Sequence, residues 1–357
     1  MKVLTVVGAR PQFIKLAPVS RYLRRWHREV LVHTGQHYDD NLSEVFFREL
    51  EIPAPDYNLG VGSGTQGRQT GEMMIRLEEV LEREAPQAAI VYGDTNSTLA
   101  GALVAAKRHV PLLHVEAGLR SGNRAMPEEL NRVLTDHVSD ILCCPTETAL
   151  RNLAREGLTR GAHLTGDVMY DAVLHNAGIA RQRSGILARL GLEVKGYLLA
   201  TIHRAENTDD PARLRGIVAA LNALPGPIAL PLHPRTRKVL AQQGLALAAH
   251  VLVLEPVGYL DMLALEMNAR LILTDSGGVQ KEAYFLAVPC VTLRDETEWV
   301  ETVEAGWNTL AGAETQRILA AASASGAAPR APAAGGATLF GDGRAHVKIV
   351  DLLAEVG

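Results

Sequence analysis

The segment LILTDSGGVQKEA, residues 271–283, contains the clearest structural signal in the chain. A short apolar run gives way to Thr-Asp-Ser and two glycines, and then to a helix-compatible segment. This pattern predicts a parallel strand, a tight turn and a helix N-terminus. The free N–H groups of such a terminus bind anions, and glycines let a phosphate approach. Ser276, Gly277 and Gly278 are therefore candidates for holding a phosphate.

Glu282 extends this candidate site. It follows Ser276 by six residues, which is about 9 Å along a helix axis at ~1.5 Å per residue. That span matches the reach from a diphosphate to the hydroxyls of its ribose, so the stretch predicts a nucleotide-diphosphate site. An ordinary Gly-rich turn followed by a solvated Glu has the same local pattern, because most α/β proteins contain such turns.

The composition is that of a globular protein with more than one domain. A chain of 357 residues is long for a single core, and 47% of its residues are hydrophobic. The net charge of -4 gives no basic surface for nucleic acid or an anionic membrane. The N-terminal apolar run is too short for a signal peptide or a membrane span, so we expect the protein to be cytoplasmic. The three cysteines lie in apolar contexts typical of buried thiols, and no metal site is predicted.

Strand-like apolar runs alternate with helical stretches along the chain, which predicts parallel sheets joined by right-handed crossovers. We predict an α/β fold of two Rossmann-like domains, residues 1–167 and 168–343, with a hinge near 166–169 and the ligand in a central cleft. The first series of strands is 3–7, 30–33, 88–92, 112–115, 140–144 and 163–165, and the second is 197–202, 228–232, 251–254, 271–273 and 290–293.

The end of the first strand supplies two cations. Pro11 suits the first position of a helix, so Arg10 would stand at the turn and Lys15 one turn into the helix. Both suit a diphosphate or a developing anion, although solvated basic residues on an amphipathic helix would give the same pattern. No G-x-G-x-x-G fingerprint follows any predicted strand, which argues against a nicotinamide mechanism, and no cofactor is expected.

Carboxylates follow two further strands of the first half. Asp94 ends the run IVYGD and Glu116 ends the run LLHVE, and carboxylates at one sheet edge are suited to acid and base work. Glu128 and Glu129 open a predicted helix, where acidic residues are usually dipole-stabilising surface groups. On local grounds, Glu128 and Glu129 are therefore structural.

Two loops of the second half carry histidines after predicted strands. His203 follows the run LATI, and His233 and Arg235 follow the run IALPL. A single His after a strand is more often structural than catalytic. Two such loops beside the Ser276 turn favour contacts to phosphate.

A set of motifs in chain order carries a family resemblance. The motifs are GARP (8–11) with Lys15, GQH (35–37), GDT (93–95), HVEAGLR (114–120), PEExNR (127–132), HRxEN (203–207) and TDSGG (274–278). Together they resemble the non-hydrolysing UDP-N-acetylglucosamine 2-epimerases over nearly the whole chain. The resemblance implies a B-type glycosyltransferase-like architecture, a last helix of about 344–357 packing back on the first domain, and a homodimer.

The resemblance also implies a reaction on a UDP-sugar. UDP would leave by anti elimination across carbons 1 and 2 to give 2-acetamidoglucal, and would add back after a proton returns to the opposite face. Asp94, Glu116 and Glu128 become the acid/base carboxylates, which replaces the local interpretation of Glu128. His203 and Arg10 would stabilise the departing diphosphate.

Other roles that the resemblance implies concern binding. Lys15 would face the sugar or phosphate, Ser276 and Gly277 would hold phosphate oxygens, and Glu282 would hold the ribose. The loop that ends at Tyr259 would border the uracil. The resemblance also implies a second UDP-N-acetylglucosamine that binds as an activator, as in bacterial members of the family. The residues of this chain that match that activator site are Gln36, His37 and Arg68.

One departure from the family pattern bears on the substrate. Many of these epimerases have Thr-Glu-Arg-Pro-Glu where this chain has TEWVE at 297–301, so a positive charge is lost at Trp299. The variant is similar to enzymes acting on UDP-2,3-diacetamido-2,3-dideoxyglucuronate by the same chemistry. A UDP-sugar glycosyltransferase and a non-catalytic nucleotide-sugar sensor are the remaining alternatives.

Overall fold

The computed structural model describes residues 1–36, 47, 49–326 and 339–356. The chain divides into two compact units, residues 1–172 with 337–357 and residues 173–336. The hinge and the domain boundary at 167/168 stay predictions.

The first unit is built on a parallel sheet of seven strands in the order β3-β2-β1-β4-β5-β6-β7. Its central strands are apolar and fully buried, as in parallel sheets that are covered on both faces. The strands are β1 (Lys2–Val7), β2 (Arg28–His33), β3 (Tyr57–Asn58), β4 (Ala88–Tyr92), β5 (Leu112–Val115), β6 (Ile141–Cys144) and β7 (Ala162–Leu164).

Helices connect these strands and cover the sheet. They are α1 (Arg10–Leu23), α2 (Gln66–Glu84), α3 (Asn96–Lys107), α4 (Pro127–Val138) and α5 (Glu147–Arg155). Helix α6 (Val168–Arg183) begins in the first unit and continues into the second. One core cluster joins Val6 and Val91 of the sheet to Met73 and Leu77 of α2. Helix α3 packs so closely that a Cβ atom at Gly101 would lie 3.0 Å from Val91. This packing fixes the turns that precede the helices, where the candidate site residues lie.

The second unit is built on a parallel sheet of six strands in the order β10-β9-β8-β11-β12-β13. Its core joins the apolar faces of the strands to α9 and α14. The strands are β8 (Leu198–Thr201), β9 (Ile228–Pro231), β10 (Val251–Leu254), β11 (Leu271–Thr274), β12 (Cys290–Thr292) and β13 (Asn308–Leu310). The helices are α7 (Ile186–Leu190), α8 (Ala205–Thr208), α9 (Pro211–Ala223), α10 (Pro234–Gln242), α11 (Tyr259–Asn268), α12 (Gly277–Phe285), α13 (Val300–Glu304) and α14 (Thr315–Gly326).

The C-terminal segment belongs to the first unit. Helix α15 (Ala345–Asp351) packs against α1 and is followed by a 3-10 turn (Leu352–Val356). The backbone N–H and the ring Nδ1 of His346 lie 2.8 and 2.7 Å from the same oxygen of the buried Asp171. The edge of the His346 ring meets Tyr22 of α1.

The eleven strands predicted from sequence are present, each within two residues of its expected ends. The sequence missed β3 and β13, which are short and lie at sheet edges. Across the described ranges, no helix is long and apolar enough to span a membrane.

Candidate active site

The carboxyl ends of β1, β4 and β5 lie side by side in the first sheet. Arg10 begins α1 after β1, Asp94 follows β4, and Glu116 follows β5. Because these strands run parallel, the three residues lie at the same edge of the sheet. The fold of the first unit therefore brings together three residues that the sequence predicted.

Glu116 forms a buried ion pair with Lys15 of α1. Both residues are less than a tenth exposed, and Lys15 Nζ directly contacts Glu116 Oε2. Glu116 has a φ of 74°, in the left-handed region that side chains rarely adopt. A Cβ atom at Gly93 would lie 3.2 Å from Lys15 Nζ and 3.3 Å from Glu116 Oε2. The turn after β4 therefore uses glycine to leave room for this pair.

Asp94 is the more accessible carboxylate of this edge. Its side chain is 30% exposed, and Oδ2 accepts a hydrogen bond of 2.5 Å from Arg132 Nη2. Arg132 is buried in α4 and donates from Nη1 to Glu129, at 2.8 Å. Asp94 is thus held from one side by a cation and is open to solvent on another, which suits a group that exchanges protons.

Glu128 and Glu129 differ in environment although they are adjacent. Glu128 is exposed in the first turn of α4, whereas Glu129 is buried. The carboxylate of Glu129 accepts from the Ser121 N–H and hydroxyl, both at 3.0 Å, and from the Gly122 N–H at 2.9 Å. Burial raises the pKa of Glu129, but these donors and Arg132 outweigh it, so the pKa lies below its usual value. The expectation of two surface groups is wrong for Glu129, which holds the preceding loop.

His114 lies beneath the two carboxylates and was missed as a site residue by the sequence. It is fully buried, with Nδ1 2.7 Å from Asp136 Oδ1 and Nε2 2.7 Å from the carbonyl oxygen of Gly93. Burial raises the pKa of Asp136, but His114 and Arg120 outweigh it, and the pKa is lowered. Both ring nitrogens of His114 thus lie within hydrogen-bonding distance of an oxygen atom. Its only signal in the sequence was its place in the HVEAGLR motif.

The three residues predicted for an activator site have different positions. Gln36 Oε1 accepts from the N–H of Ser97, at 3.0 Å, and from its hydroxyl, at 2.7 Å, in the first turn of α3. Arg68 is exposed in the first turn of α2. His37 lies outside the described residues.

The second unit carries the predicted phosphate site at the start of α12. Ser276 is the N-cap, and its Oγ accepts from the N–H of Val279. A Cβ atom at Gly277 would lie 2.6 Å from Glu298 Oε1 and 3.3 Å from Trp299 Nε1. The first turn of α12 is therefore bordered by a carboxylate and an indole N–H. Gly278 lies in the same turn.

The carboxylate of Glu298 is balanced by two arginines. Arg294 Nη1 donates to it at 2.9 Å, and Arg204 Nη2 lies 3.6 Å from it. Trp299 is buried, and the Lys281 ammonium lies 3.8 Å from the centre of its ring. The position at which the family pattern has Arg is thus occupied here by an indole that covers a buried lysine.

Asp275 is a second functional candidate that the sequence missed. It follows β11 and is fully buried, and its carboxylate accepts from the backbone N–H groups of His203 and Arg204 and from Asn207 Nδ2. Its Oδ1 lies 3.1 Å from His203 Nδ1. Burial raises the pKa of Asp275, but His203 and the other donors outweigh it, so the pKa is lowered. The signals in the sequence were its position directly after an apolar strand and its place in the TDSGG motif.

The remaining predicted residues of the second unit also lie near strand ends. His233 is the N-cap of α10, its Nδ1 accepts from the Arg235 N–H, and it is exposed. Arg235 pairs with both carboxylate oxygens of Asp209, at 2.6 and 2.8 Å. Tyr259 is buried at the start of α11, and Glu282 is buried in α12. Within the described parts of the chain, no group of three or more His, Cys, Asp or Glu side chains is arranged to hold a metal ion.

Comparisons with known proteins agree over the whole chain. A family model described as UDP-N-acetylglucosamine 2-epimerase matches residues 23–354. A Methanococcus maripaludis protein described as a UDP-N-acetylglucosamine 2-epimerase homolog is 53% identical over 361 residues, covering 100% of both chains. The UDP-2,3-diacetamido-2,3-dideoxy-D-glucuronate 2-epimerase of Pseudomonas aeruginosa is 51% identical over 364 residues, also covering 100% of both.

Solved structures show the same fold. The Methanocaldococcus jannaschii UDP-GlcNAc 2-epimerase in complex with UDP-GlcNAc and UDP matches with a TM-score of 0.93 at 45% identity, covering 99% of this chain and 100% of that chain. A Streptomyces glycosyltransferase complexed with thymidine diphosphate matches with a TM-score of 0.56 at 18% identity, covering 99% of both chains, which shows the fold alone. With the two parallel sheets, these matches confirm the predicted glycosyltransferase-like α/β fold class.

Proposed function

Because this chain belongs to the UDP-N-acetylglucosamine 2-epimerase family, as its motifs predicted, we propose that it interconverts UDP-N-acetylglucosamine and UDP-N-acetylmannosamine. The observation that carries the proposal is the pairing of two carboxylates with cations, Glu116 with Lys15 and Asp94 with Arg132, at one edge of the first sheet. Two carboxylates in unlike environments are what a reaction needs when it removes a proton and returns one.

The proposed reaction proceeds by elimination and re-addition. A carboxylate takes the proton from carbon 2 while the bond from carbon 1 to the UDP oxygen breaks, giving 2-acetamidoglucal and free UDP. A proton then returns to the opposite face of carbon 2, and UDP adds back at carbon 1. Asp94, Glu116 and Glu128 share the acid and base work, and Lys15 offsets the charge of Glu116. No redox step is needed.

The second unit supplies the groups proposed to hold UDP. The N-terminus of α12, with Ser276, Gly277 and Gly278, suits the diphosphate, and Glu282 suits the ribose. His203 stabilises the departing diphosphate, and from the first unit Arg10 has the same role. Three further contacts are proposed: His233 and Arg235 to phosphate, and Tyr259 at the edge of the uracil.

A second candidate substrate is UDP-2,3-diacetamido-2,3-dideoxyglucuronate. Two observations favour it: Trp299 replaces the arginine of the common family pattern, and the Pseudomonas relative named for that substrate is nearly as similar as the Methanococcus one. Both substrates undergo the same chemistry at carbon 2. Turnover of the two UDP-sugars by the same preparation, compared by kcat/KM, decides between them.

Isotope exchange tests the reaction. In heavy water, the enzyme with UDP-N-acetylglucosamine alone is expected to place deuterium at carbon 2 and to produce the manno epimer, both visible by NMR. Epimer without the label would overturn the elimination mechanism. If UDP-N-acetylglucosamine gives neither the deuterium label nor the manno epimer, and the diacetamido-uronate also takes up no deuterium, the transferase or sensor alternative is favoured. A transferase is expected to act only after an acceptor is added.

Further proposals accompany this function. We propose that a second UDP-N-acetylglucosamine acts as an activator near Gln36, His37 and Arg68, that the enzyme is a homodimer, and that it works in the cytoplasm on precursors of surface polysaccharide. The exposed position of Arg68 supports its availability to a ligand. Activation is tested in reactions that start from the manno epimer. These reactions are expected to show a lag, and added UDP-N-acetylglucosamine is expected to remove it.

A further inference from the structure

We propose that Asp275 is a positioning residue, whose buried carboxylate fixes the ring orientation of His203 through the Nδ1 side of the ring. The inference deepens the proposed function and rests on it, because it concerns how His203 stabilises the departing diphosphate. Asp275 itself does not touch the substrate in this proposal.

The geometry of the pair carries the inference. Asp275 Oδ1 lies 3.1 Å from His203 Nδ1, and the same carboxylate accepts from the backbone N–H of His203 at 3.0 and 3.1 Å. One carboxylate therefore holds both ends of the histidine, its main chain and its ring. The carboxylate is fully buried, whereas the His203 side chain is half exposed. The ring thus has one nitrogen turned inward to a fixed acceptor.

The surroundings of Asp275 keep this acceptor in place. The Arg204 N–H donates to Oδ2 at 3.0 Å, and Asn207 Nδ2 donates to it at 3.2 Å. Asn207 is itself anchored to the carbonyl oxygen of Leu293, at 2.9 Å. The carboxylate of Asp275 therefore accepts from fixed donors in the loop after β8 and in α8. These donors leave it little freedom to turn away from His203.

The hydrogen on Nδ1 follows from the chemistry of the acceptor. An ionised carboxylate only accepts hydrogen bonds, so Nδ1 of His203 must carry a hydrogen to interact favourably with Asp275. A ring held in this way keeps one orientation, which a group that stabilises negative charge on a leaving diphosphate requires. Removing the carboxylate that orients a metal-bound histidine typically costs about 10–100-fold in affinity or activity, and we expect an effect of similar size for this metal-free pair.

The test combines a mutant cycle with a binding measurement. Asp275→Asn is expected to lower kcat by roughly 10–100-fold, with KM and the Kd for UDP changed less than about threefold. In a His203→Gln background the same substitution is expected to cost almost nothing further, because the group through which it acts is gone. Full additivity of the two losses, or an unchanged kcat in Asp275→Asn, would overturn the inference. So would a loss of UDP affinity of about tenfold or more, since that result would assign Asp275 to the phosphate site itself.

A matched control is available in the same unit. Asp295 pairs with Arg213 at 2.7 Å and is more than half exposed. Asp295→Asn is expected to leave kcat within about twofold, because exposed ion pairs contribute little. A loss in this control as large as that in Asp275→Asn would show that any lost carboxylate of the unit impairs turnover, and would count against the inference.

Nitrogen NMR of the His203 ring gives a readout that is independent of turnover and of whether Asp275→Asn folds. The ring signals are assigned by their loss in His203→Gln. The wild-type protein is expected to show a protonated Nδ1 at neutral pH, and a ring protonated at Nε2 alone would overturn the inference. Failure of the proposed function appears separately, as the absence of epimerisation by the wild-type enzyme with both UDP-sugars.

Discussion

Glu116 combines an unfavourable backbone conformation with a carboxylate that we propose to take part in the reaction. Its φ of 74° is held by a hydrogen bond from its N–H to the Cys143 carbonyl oxygen and by the buried contact with Lys15. A non-glycine residue in a sparsely populated region costs about 1–3 kcal/mol. Such strain persists where the surrounding structure fixes it, and it is often found at functional sites.

Two variants of Glu116 separate strain from chemistry. Glu116→Gly and Glu116→Ala both remove the carboxylate and leave Lys15 in the same position, so both are expected to lose most activity. Glycine adopts positive φ freely and alanine does not. The free energy of unfolding of Glu116→Gly is therefore expected to be about 1 kcal/mol higher than that of Glu116→Ala, so the glycine variant is the more stable one. Urea unfolding measures the difference. Equal stability of the two variants would show that the backbone at this position is not strained.

At the scale of elements, the turn after β4 places the two acidic groups relative to each other. Its Gly93 has a φ of 65°, its carbonyl oxygen meets His114, and its empty Cβ position faces Lys15 and Glu116. The turn therefore contacts both the buried His114 and the ion pair of Lys15 with Glu116. A side chain here would disturb both the backbone and the pair.

Gly93→Ala is expected to lower kcat by more than about tenfold, because the added methyl group pushes the ion pair apart as well as straining the turn. Gly60→Ala is the matched control. Gly60 has a similar φ of 59°, but a Cβ there would meet nothing within 4 Å. The control is expected to lose about 1 kcal/mol of stability while keeping its activity, as steady-state rates and urea unfolding would show. Equal rates in the two variants would contradict the role given to the turn.

Helix α15 is tied to the first unit by its His346, whose ring and N–H both contact Asp171. His346→Ala is expected to lower the free energy of unfolding by about 1–3 kcal/mol, because it takes one donor from a buried carboxylate. Lys348→Ala on the same helix removes only an exposed pair with Asp342, so a change within ~0.5 kcal/mol is expected. Denaturant unfolding compares the two. A loss in Lys348→Ala as large as in His346→Ala would refute the anchoring role.

At the scale of the whole molecule, both sheets bury their cysteines in the strand ends. Cys143 and Cys144 belong to β6, and Cys290 begins β12. Burial raises the pKa of Cys144 and of Cys290 to about 12 and raises that of Cys143 still further. Since only the thiolate reacts readily, the folded protein should be inert to thiol reagents.

This inertness gives a test of the whole fold. At pH 8 the folded chain is expected to react with Ellman's reagent many times more slowly than the unfolded chain, in which all three thiols are accessible. The absorbance of the released thiolate, with and without urea, measures the difference. Rapid reaction of a thiol in the native protein would show that one of the two sheets opens readily at that strand.

Local sequence patterns were enough to predict most of the secondary structure, the α/β class and the family. Apolar runs, glycine turns and helix starts are local signals, so eleven strands could be placed from them. Strands β3 and β13 were missed because they are only two and three residues long and contain polar residues, so they form no apolar run. The motif TDSGG likewise predicted the α12 terminus because its chemistry lies within a few consecutive residues.

The pairing of the charged groups became visible only in the three-dimensional structure. Asp275 holds a histidine 72 residues away, and His114 meets Asp136 across 22 residues. The structure also separated Glu129, which is buried and holds a loop, from the exposed Glu128 beside it. The physical reason is that the charge and the orientation of a buried group depend on its partners in space and on its access to water, and a linear pattern of residues contains neither.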